Sequence, residues 1–129
     1  MATANLSEYK TLYLQTAKEY INNISSSCIK LGGNVSDIEA VNNIHISSHS
    51  LKSQSQVMGF INMANLCAII EKISAAILAG NYKISNELIA VLKESVNEIN
   101  LCLVQIEKEN KENDLSEFVR KLETMSGVV

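Results

Sequence analysis

The sequence is poor in the residues that interrupt helices. Its 129 residues include no proline and only five glycines, and 5% of them are aromatic, whereas 47% are apolar. Because proline and glycine break regular helices, this composition favours long uninterrupted helices over strands and tight turns. The length suits one domain, residues 1–129, with a proper buried core.

The sequence also lacks several features that would direct it to other classes. Its formal net charge is −3, which argues against a nucleic-acid partner, because such proteins usually carry a basic surface. No run approaches the ~18 consecutive apolar residues of a membrane span, and the N-terminus has no apolar signal segment. Three isolated cysteines without a CxxC pair are typical of a reduced core. We therefore expect a soluble cytoplasmic protein without a membrane partner.

Apolar residues recur at helical spacing in four strong segments and a weaker fifth. The segments cover about 6–29, 36–58, 62–79, 85–110 and 115–125. Ser36, followed three residues later by Glu39, is predicted to cap the second helix, and Gly59 to end it. Since the connections are short, the pattern predicts an all-α fold: an antiparallel up-down four-helix bundle, about 6–110, with a short fifth C-terminal helix.

Each predicted helix has an apolar stripe that should form the core. In the first helix the stripe contains three tyrosines, which we interpret as core packing and not as a cofactor site. The proposed core positions of the first, third and fourth helices are Leu6, Tyr9, Tyr13, Ala17, Tyr20, Ile24; Met63, Leu66, Cys67, Ile70, Ile73, Ile77; and Leu88, Leu92, Val96, Ile99, Leu103, Ile106.

The second helix carries the most informative residue, His49. At about 100° per residue, His49 lies roughly 120° from the centre of that helix's apolar stripe, on a polar face. Lys52, one turn later, lies at the border between core and solvent. The apolar stripe that sets this register consists of Val41, Ile44, Ser48, Leu51, Ser55 and Met58.

An exposed histidine with a suitable neighbour can accept and return a phosphoryl group. Glu71 is the only carboxylate of the predicted third helix, and it is the natural candidate to orient the ring and raise its nucleophilicity. Lys52 would compensate phosphoryl charge as a point cation. Ser53 is small enough to let a partner approach, and His45 and Gln56 share this side, so we expect all three to contact a docked partner.

Two alternatives compete with a phosphohistidine carrier. His45, His49 and Glu71 could together bind a divalent metal, although no HExxH motif or further histidine supports that site. The bundle could instead be an interaction module that binds a kinase or receiver domain without carrying phosphate. The sequence has no glycine-rich loop or P-loop, so it cannot use ATP alone, and we predict a carrier and not an enzyme.

The string from His49 to Phe60, His-Ser-Leu-Lys-Ser-Gln-Ser-Gln-Val-Met-Gly-Phe, resembles the histidine-containing phosphotransfer (HPt) domain. Together with Ala64, Leu66 and Ile70-Glu71, it is especially similar to the N-terminal phosphotransfer domain of CheA-type chemotaxis histidine kinases. The resemblance covers nearly the whole chain. Two departures are Ser53, where the family has glycine, and Ala68, where chemotaxis-type members often have a second histidine.

The resemblance implies a phosphorelay. A histidine kinase catalytic domain, in a separate chain or in a further part of the same protein, would phosphorylate His49 on Nε2. An aspartate of a response-regulator receiver domain would then take the phosphoryl group. Glu71 would accept a hydrogen bond from Nδ1 of His49, and Lys52 would lie near the phosphate. The family also implies a monomer without a cofactor or resident metal.

Overall fold

A computed structural model of the chain describes residues 2–127, with side chains for residues 8–127. The described residues form five α-helices and no strand. Their bounds are α1 Ala2–Gly33, α2 Ile38–Met58, α3 Ile61–Leu78, α4 Asn86–Glu109 and α5 Ser116–Ser126. The predicted all-α class with a short fifth helix is confirmed.

Hydrogen bonds between helices show their relative direction. Tyr13 of α1 bonds Ser55 of α2, and three residues later Thr16 bonds Gln54. Partner numbers fall as α1 advances, so α1 and α2 run antiparallel. Helix α1 also packs on α4, α2 packs on α3, and α5 lies against α3 and α4. The result is the predicted up-down four-helix bundle with α5 lying against it.

The ends of α2 differ in part from the sequence prediction. Its N-cap is Asp37, whose Oδ1 accepts the Ala40 backbone N–H at 3.0 Å. The predicted cap, Ser36, instead donates its backbone N–H to Oδ1 of Asn34 in the preceding turn. The prediction was wrong by one residue because aspartate caps as well as serine does. The C-terminal prediction is confirmed: Gly59 ends the helix in the left-handed conformation, with φ 82°.

The core contains the predicted stripes with few exceptions. All six predicted α4 positions are buried, as are the α2 positions apart from Met58, which is partly buried. Tyr20 and Ile77 are also partly buried against the core. Tyr9 contradicts the prediction: it is 55% exposed, because its side chain lines an open groove between α1 and α2. The side chain of Leu6 lies outside the described residues.

Buried polar groups are paired throughout the described part of the chain. The main example is Tyr13, whose hydroxyl lies 2.8 Å from Oγ of Ser55 and whose ring contacts Phe60. Burial raises the pKa of Tyr13, although the Ser55 hydrogen bond acts against this rise. The neutral phenol therefore joins α1 to the end of α2.

Helix α3 is long and apolar enough to cross a membrane by length and composition alone, the one such helix among residues 2–127. In the bundle, however, its apolar residues form core: Met63, Leu66, Ile70 and Ile73 are at most 1% exposed. This is the pattern of a core helix packed against α2 and α5.

The start of α3 is held by a residue fifty positions away. Its N-cap, Phe60, makes no side-chain cap, and Glu112 replaces it: Oε2 accepts the Asn62 N–H at 3.0 Å and Oε1 the Met63 N–H at 2.9 Å. A carboxylate that bonds two free N–H groups at a helix N-terminus is doubly favourable, because the helix dipole adds to the hydrogen bonds.

We expect Glu112→Ala to lower the free energy of unfolding by about 1–2 kcal/mol, the range for loss of a charged helix cap. Glu112→Gln should lose less, because its amide oxygen can still accept one N–H. Urea denaturation measures both variants, with Glu107→Ala, an exposed glutamate of α4, as the control. Equal stability of Glu112→Ala and Glu107→Ala would show that the cap contributes nothing.

Candidate functional site

The tight turn at Gly59 folds α3 back along α2. Because the two helices run antiparallel, residues about ten positions before the turn on α2 lie beside residues about ten positions after it on α3. His49 and Glu71, ten residues before and twelve after Gly59, are related in this way. His45 and Ser74, fourteen before and fifteen after it, form the next pair along the hairpin. The sequence therefore brings the candidate histidine and the single α3 carboxylate to one face through the hairpin alone.

Glu71 joins the two other predicted site residues. Its Oε2 lies 2.7 Å from Nδ1 of His49, and its Oε1 lies 2.6 Å from Nζ of Lys52. Each carboxylate oxygen thus has its own partner on α2. His49 and Lys52 are one turn apart on that helix, so one carboxylate can span both.

Exposure differs sharply within this cluster. The His49 side chain is 58% exposed, whereas Glu71 is 17% and Lys52 24% exposed. The ring is therefore open to a partner, while the groups that hold it are mostly covered. This confirms the sequence-based placement of His49 on the solvent-exposed face of α2.

The hydrogen bond to Glu71 defines the chemical state of the ring. An ionised carboxylate only accepts hydrogen bonds, so Nδ1 of His49 must carry a proton. In the neutral imidazole the lone pair then belongs to Nε2, the ring nitrogen farther from Glu71. The arrangement offers one oriented nucleophilic nitrogen at the surface.

Glu71 is stabilised in its charged form. Partial burial on its own would raise the pKa of Glu71, but the hydrogen bonds from Lys52 and His49 outweigh burial, and the pKa lies below its ordinary value. The carboxylate is therefore ionised at neutral pH and available to orient the ring.

This lowered pKa gives a pH-dependent contribution to stability. The folded protein binds the Glu71 proton less tightly than the unfolded chain, so the stabilisation is present above the ordinary glutamate pKa of about 4.3 and is lost as the pH falls through the folded value. Wild type and Glu71→Gln should therefore differ in unfolding free energy at pH ~6, and the difference should shrink towards pH ~3. Urea titrations across this range test the point, and a constant difference would contradict it.

His45, predicted to contact a partner, is half-buried and faces α3. Its Nδ1 lies 3.3 Å from the Glu71 carbonyl oxygen and 3.3 Å from Oγ of Ser74. Ser74, a residue not predicted from the sequence, donates its hydroxyl to the same carbonyl at 2.8 Å. Its position three residues after Glu71 was the only signal that could have indicated it.

The metal alternative gains no support from this geometry. It requires His45, His49 and Glu71 around one ion, yet Nδ1 of His45 is directed at a backbone carbonyl. Across the described residues, no group of three or more histidine, cysteine or acidic side chains is arranged to hold a metal ion.

Ser53 and Gln56 lie further along α2 towards its C-terminus. Gln56 is exposed, and Ser53 is half-buried at an open, mainly apolar groove between α1 and α2. Exposed apolar side chains line this groove, among them Tyr9, Leu12 and Val57. Docking of a partner on His45, Ser53 and Gln56 remains a prediction.

Two known proteins with sequences similar to this chain are both chemotaxis proteins CheA. Over 120 residues the chain is 22% identical to the chemotaxis protein CheA of Bacillus subtilis (strain 168), covering 92% of this chain and 18% of that protein. Over 102 residues it is 21% identical to the chemotaxis protein CheA of Halobacterium salinarum, covering 79% and 15% respectively. The chain thus spans less than a fifth of the length of these relatives.

Solved structures share the fold. The solution structure of the histidine phosphotransfer domain of CheA superposes with a TM-score of 0.85 at 25% identity, covering 94% of this chain and 93% of that one. The phosphorylated P1 domain of CheA3, crystallised in complex with CheY6 from R. sphaeroides, gives a TM-score of 0.85 at 13% identity, covering 93% and 96%. At that identity, the second likeness concerns the fold alone.

The family match is the most specific of these findings. The Hpt domain family matches residues 8–102, which include α2, α3 and the whole His49–Glu71–Lys52 cluster. With the shared bundle and the relatives above, this match shows that the chain belongs to the Hpt domain family.

Proposed function

We propose that His49 carries a phosphoryl group between a histidine kinase and an aspartate of a response-regulator receiver domain. The observation that supports this most is the 2.7 Å hydrogen bond between Nδ1 of an exposed His49 and a mostly covered Glu71. It leaves Nε2 as the free nucleophile on an accessible surface. The relatives named above are chemotaxis proteins, which agrees with this role.

In the loading step, the Nε2 lone pair of His49 attacks the γ-phosphorus of ATP held by the kinase. An N–P bond forms, and the bond from phosphorus to the bridging oxygen breaks, releasing ADP. The ring becomes positively charged while Nδ1 keeps its proton. Glu71 stabilises that charge through the hydrogen bond already present, so little reorganisation is needed.

In the unloading step, a carboxylate oxygen of the receiver aspartate attacks the same phosphorus. The N–P bond breaks, its electron pair returns to Nε2, and the neutral imidazole is regenerated. The chain ends in its starting state, which is what distinguishes a carrier from a consumed substrate.

Lys52 supplies positive charge beside the reaction. Before phosphorylation its Nζ is bound to Oε1 of Glu71, one helical turn from His49. We propose that the same ammonium compensates the charge of the phosphoryl oxygens as a point cation.

The chain works as a carrier and not as a catalyst of ATP hydrolysis, since no glycine-rich loop or P-loop is present in its sequence. The kinase domain is therefore a separate chain or another part of a longer protein. We expect the bundle to act as a monomer in the cytoplasm, where ATP and receiver domains are available.

The test is a two-stage transfer. The protein is incubated with ATP, Mg²⁺ and a histidine kinase catalytic domain, and its intact mass is measured at alkaline pH; a purified receiver domain is then added. We expect one phosphoryl group on the chain, labile in acid, which moves to the receiver. Failure to gain phosphate from several kinases, with retained binding to a receiver, would favour the non-phosphorylated interaction module.

Glu71→Ala should slow loading of His49 without abolishing it. Loss of one charge-assisted hydrogen bond should lower the loading rate roughly 10- to 100-fold, while the nucleophile itself remains. Initial rates with a fixed kinase measure the effect, and Glu107→Ala on exposed α4 surface is the control. A Glu71→Ala protein that loads at the wild-type rate would remove Glu71 from the mechanism.

A further inference from the structure

His45 belongs to a second set of contacts around Glu71. It lies on α2 one turn before His49, and its Nδ1 is 3.3 Å from the Glu71 carbonyl oxygen. Glu71 is therefore contacted by α2 at two places: its carboxylate meets His49 and Lys52, and its backbone carbonyl meets His45. The buried Ser74 bonds that carbonyl from within α3.

The geometry determines which ring nitrogen of His45 carries its proton. A carbonyl oxygen has no proton to give, and the Ser74 hydroxyl proton is already donated to that carbonyl at 2.8 Å. Nδ1 of His45 therefore faces two acceptors and must be the donor, shared between them. At 3.3 Å each contact is long for a hydrogen bond, so the pair acts as one modest interaction.

We propose that His45 is a positioning residue for the His49–Glu71 pair. By bonding the Glu71 carbonyl, it fixes the backbone from which the carboxylate reaches Nδ1 of His49. A small shift of α3 along α2 would lengthen that 2.7 Å contact, and reactions of oriented groups are sensitive to such displacements. The proposal rests on His49 being the phosphoryl acceptor.

Two variants distinguish the effect of the hydrogen-bond donor of His45 from the effect of its side-chain volume. In His45→Asn, the side-chain amide places an N–H donor near the position of Nδ1, so it should preserve the contact. His45→Leu fills the half-buried site but cannot donate. Since asparagine, histidine and leucine are all tolerated in helix interiors, circular dichroism should show equal helix content for the three proteins.

The first readout is nitrogen-15 NMR of the ring nitrogens, without any kinase. In wild type we expect protons on Nδ1 of both His45 and His49. In His45→Leu, the His49 shifts should move towards a mixture of tautomers, and in His45→Asn they should stay at the wild-type values. A neutral wild-type His45 ring with its proton on Nε2 and none on Nδ1 would overturn the proposal. This result does not depend on the folding of any variant.

The second readout is the loading rate of His49. His45→Leu should load about two- to tenfold more slowly, the factor that corresponds to one neutral hydrogen bond, and His45→Asn should recover most of the rate. Unchanged tautomers and an unchanged rate in His45→Leu would refute the positioning role. A wild-type protein that takes no phosphate would refute the proposed function instead, and the nitrogen shifts would still decide whether His45 positions the pair.

Discussion

His49→Gln is expected to accept no phosphoryl group while keeping the helix content and stability of the wild type. Glutamine can still hydrogen-bond Glu71, but its amide nitrogen has no lone pair available for attack on phosphorus. The fold should tolerate the change, because the side chain is 58% exposed and glutamine is a better helix former than histidine. The loss should be complete and not gradual, since the variant lacks the ring nitrogen that would form the N–P bond.

The measurement is intact mass after incubation with kinase, ATP and Mg²⁺, alongside circular dichroism. Asn42→Gln, at an exposed position two turns earlier in α2, is the control, and it should load normally. Phosphate on the His49→Gln protein would move the acceptor elsewhere. A loss of helicity in that variant would mean that the histidine is not on the surface.

Leu51→Asp is expected to unfold the domain. Leu51 is fully buried, in the middle of the α2 stripe that packs on α1 and α3. An ionised carboxylate without a partner costs several kcal/mol in such a place, which is comparable to the whole stability of a small domain, about 5–15 kcal/mol. We expect the circular dichroism signal and the cooperative thermal transition to be largely lost.

Val57→Asp provides the matched comparison for Leu51→Asp. It introduces the same charge on the same helix, but the Val57 side chain is 87% exposed, so the variant should fold with nearly wild-type stability. If Leu51→Asp melted like Val57→Asp, the helical register of α2, and with it the orientation of His49, would be wrong.

The helical register of α2 could be predicted from the sequence because it depends on periodicity alone. Placing Leu51 in the core puts His49 on the opposite side, and the turn at Gly59 then limits which α3 residues can face it. With one carboxylate in α3, Glu71 followed directly. Local pattern and chain reversal were thus sufficient for the centre of the site.

Contacts between segments distant in the sequence could not be predicted from periodicity. Glu112 caps α3 across fifty residues, and no periodicity connects a loop carboxylate to a helix start that far away. Tyr9 has the spacing of a core residue but lies exposed at the open groove between α1 and α2, because spacing does not show how closely neighbouring helices pack. At Ser36 and Asp37, two adjacent good caps made the choice depend on the geometry of the turn.

The role of His45 shows the same limit inside the site. The helical pattern places it near His49, on the side expected to meet a partner. Its direction towards the Glu71 carbonyl depends on the side-chain rotamer and on how closely α2 and α3 approach, and neither can be read from the spacing of residues. The resemblance to HPt domains implies that His49 is the acceptor but gives no role to His45.

Nitrogen-15 and phosphorus-31 NMR at alkaline pH can locate the phosphorus atom on the loaded protein and so test the proposed acceptor directly. We predict a single phosphoryl group on Nε2 of His49, with the proton of that ring on Nδ1 and a retained hydrogen bond to Glu71. Phosphorus on Nδ1 of His49, on His45 or on a hydroxyl side chain would contradict the proposed role of His49 Nε2.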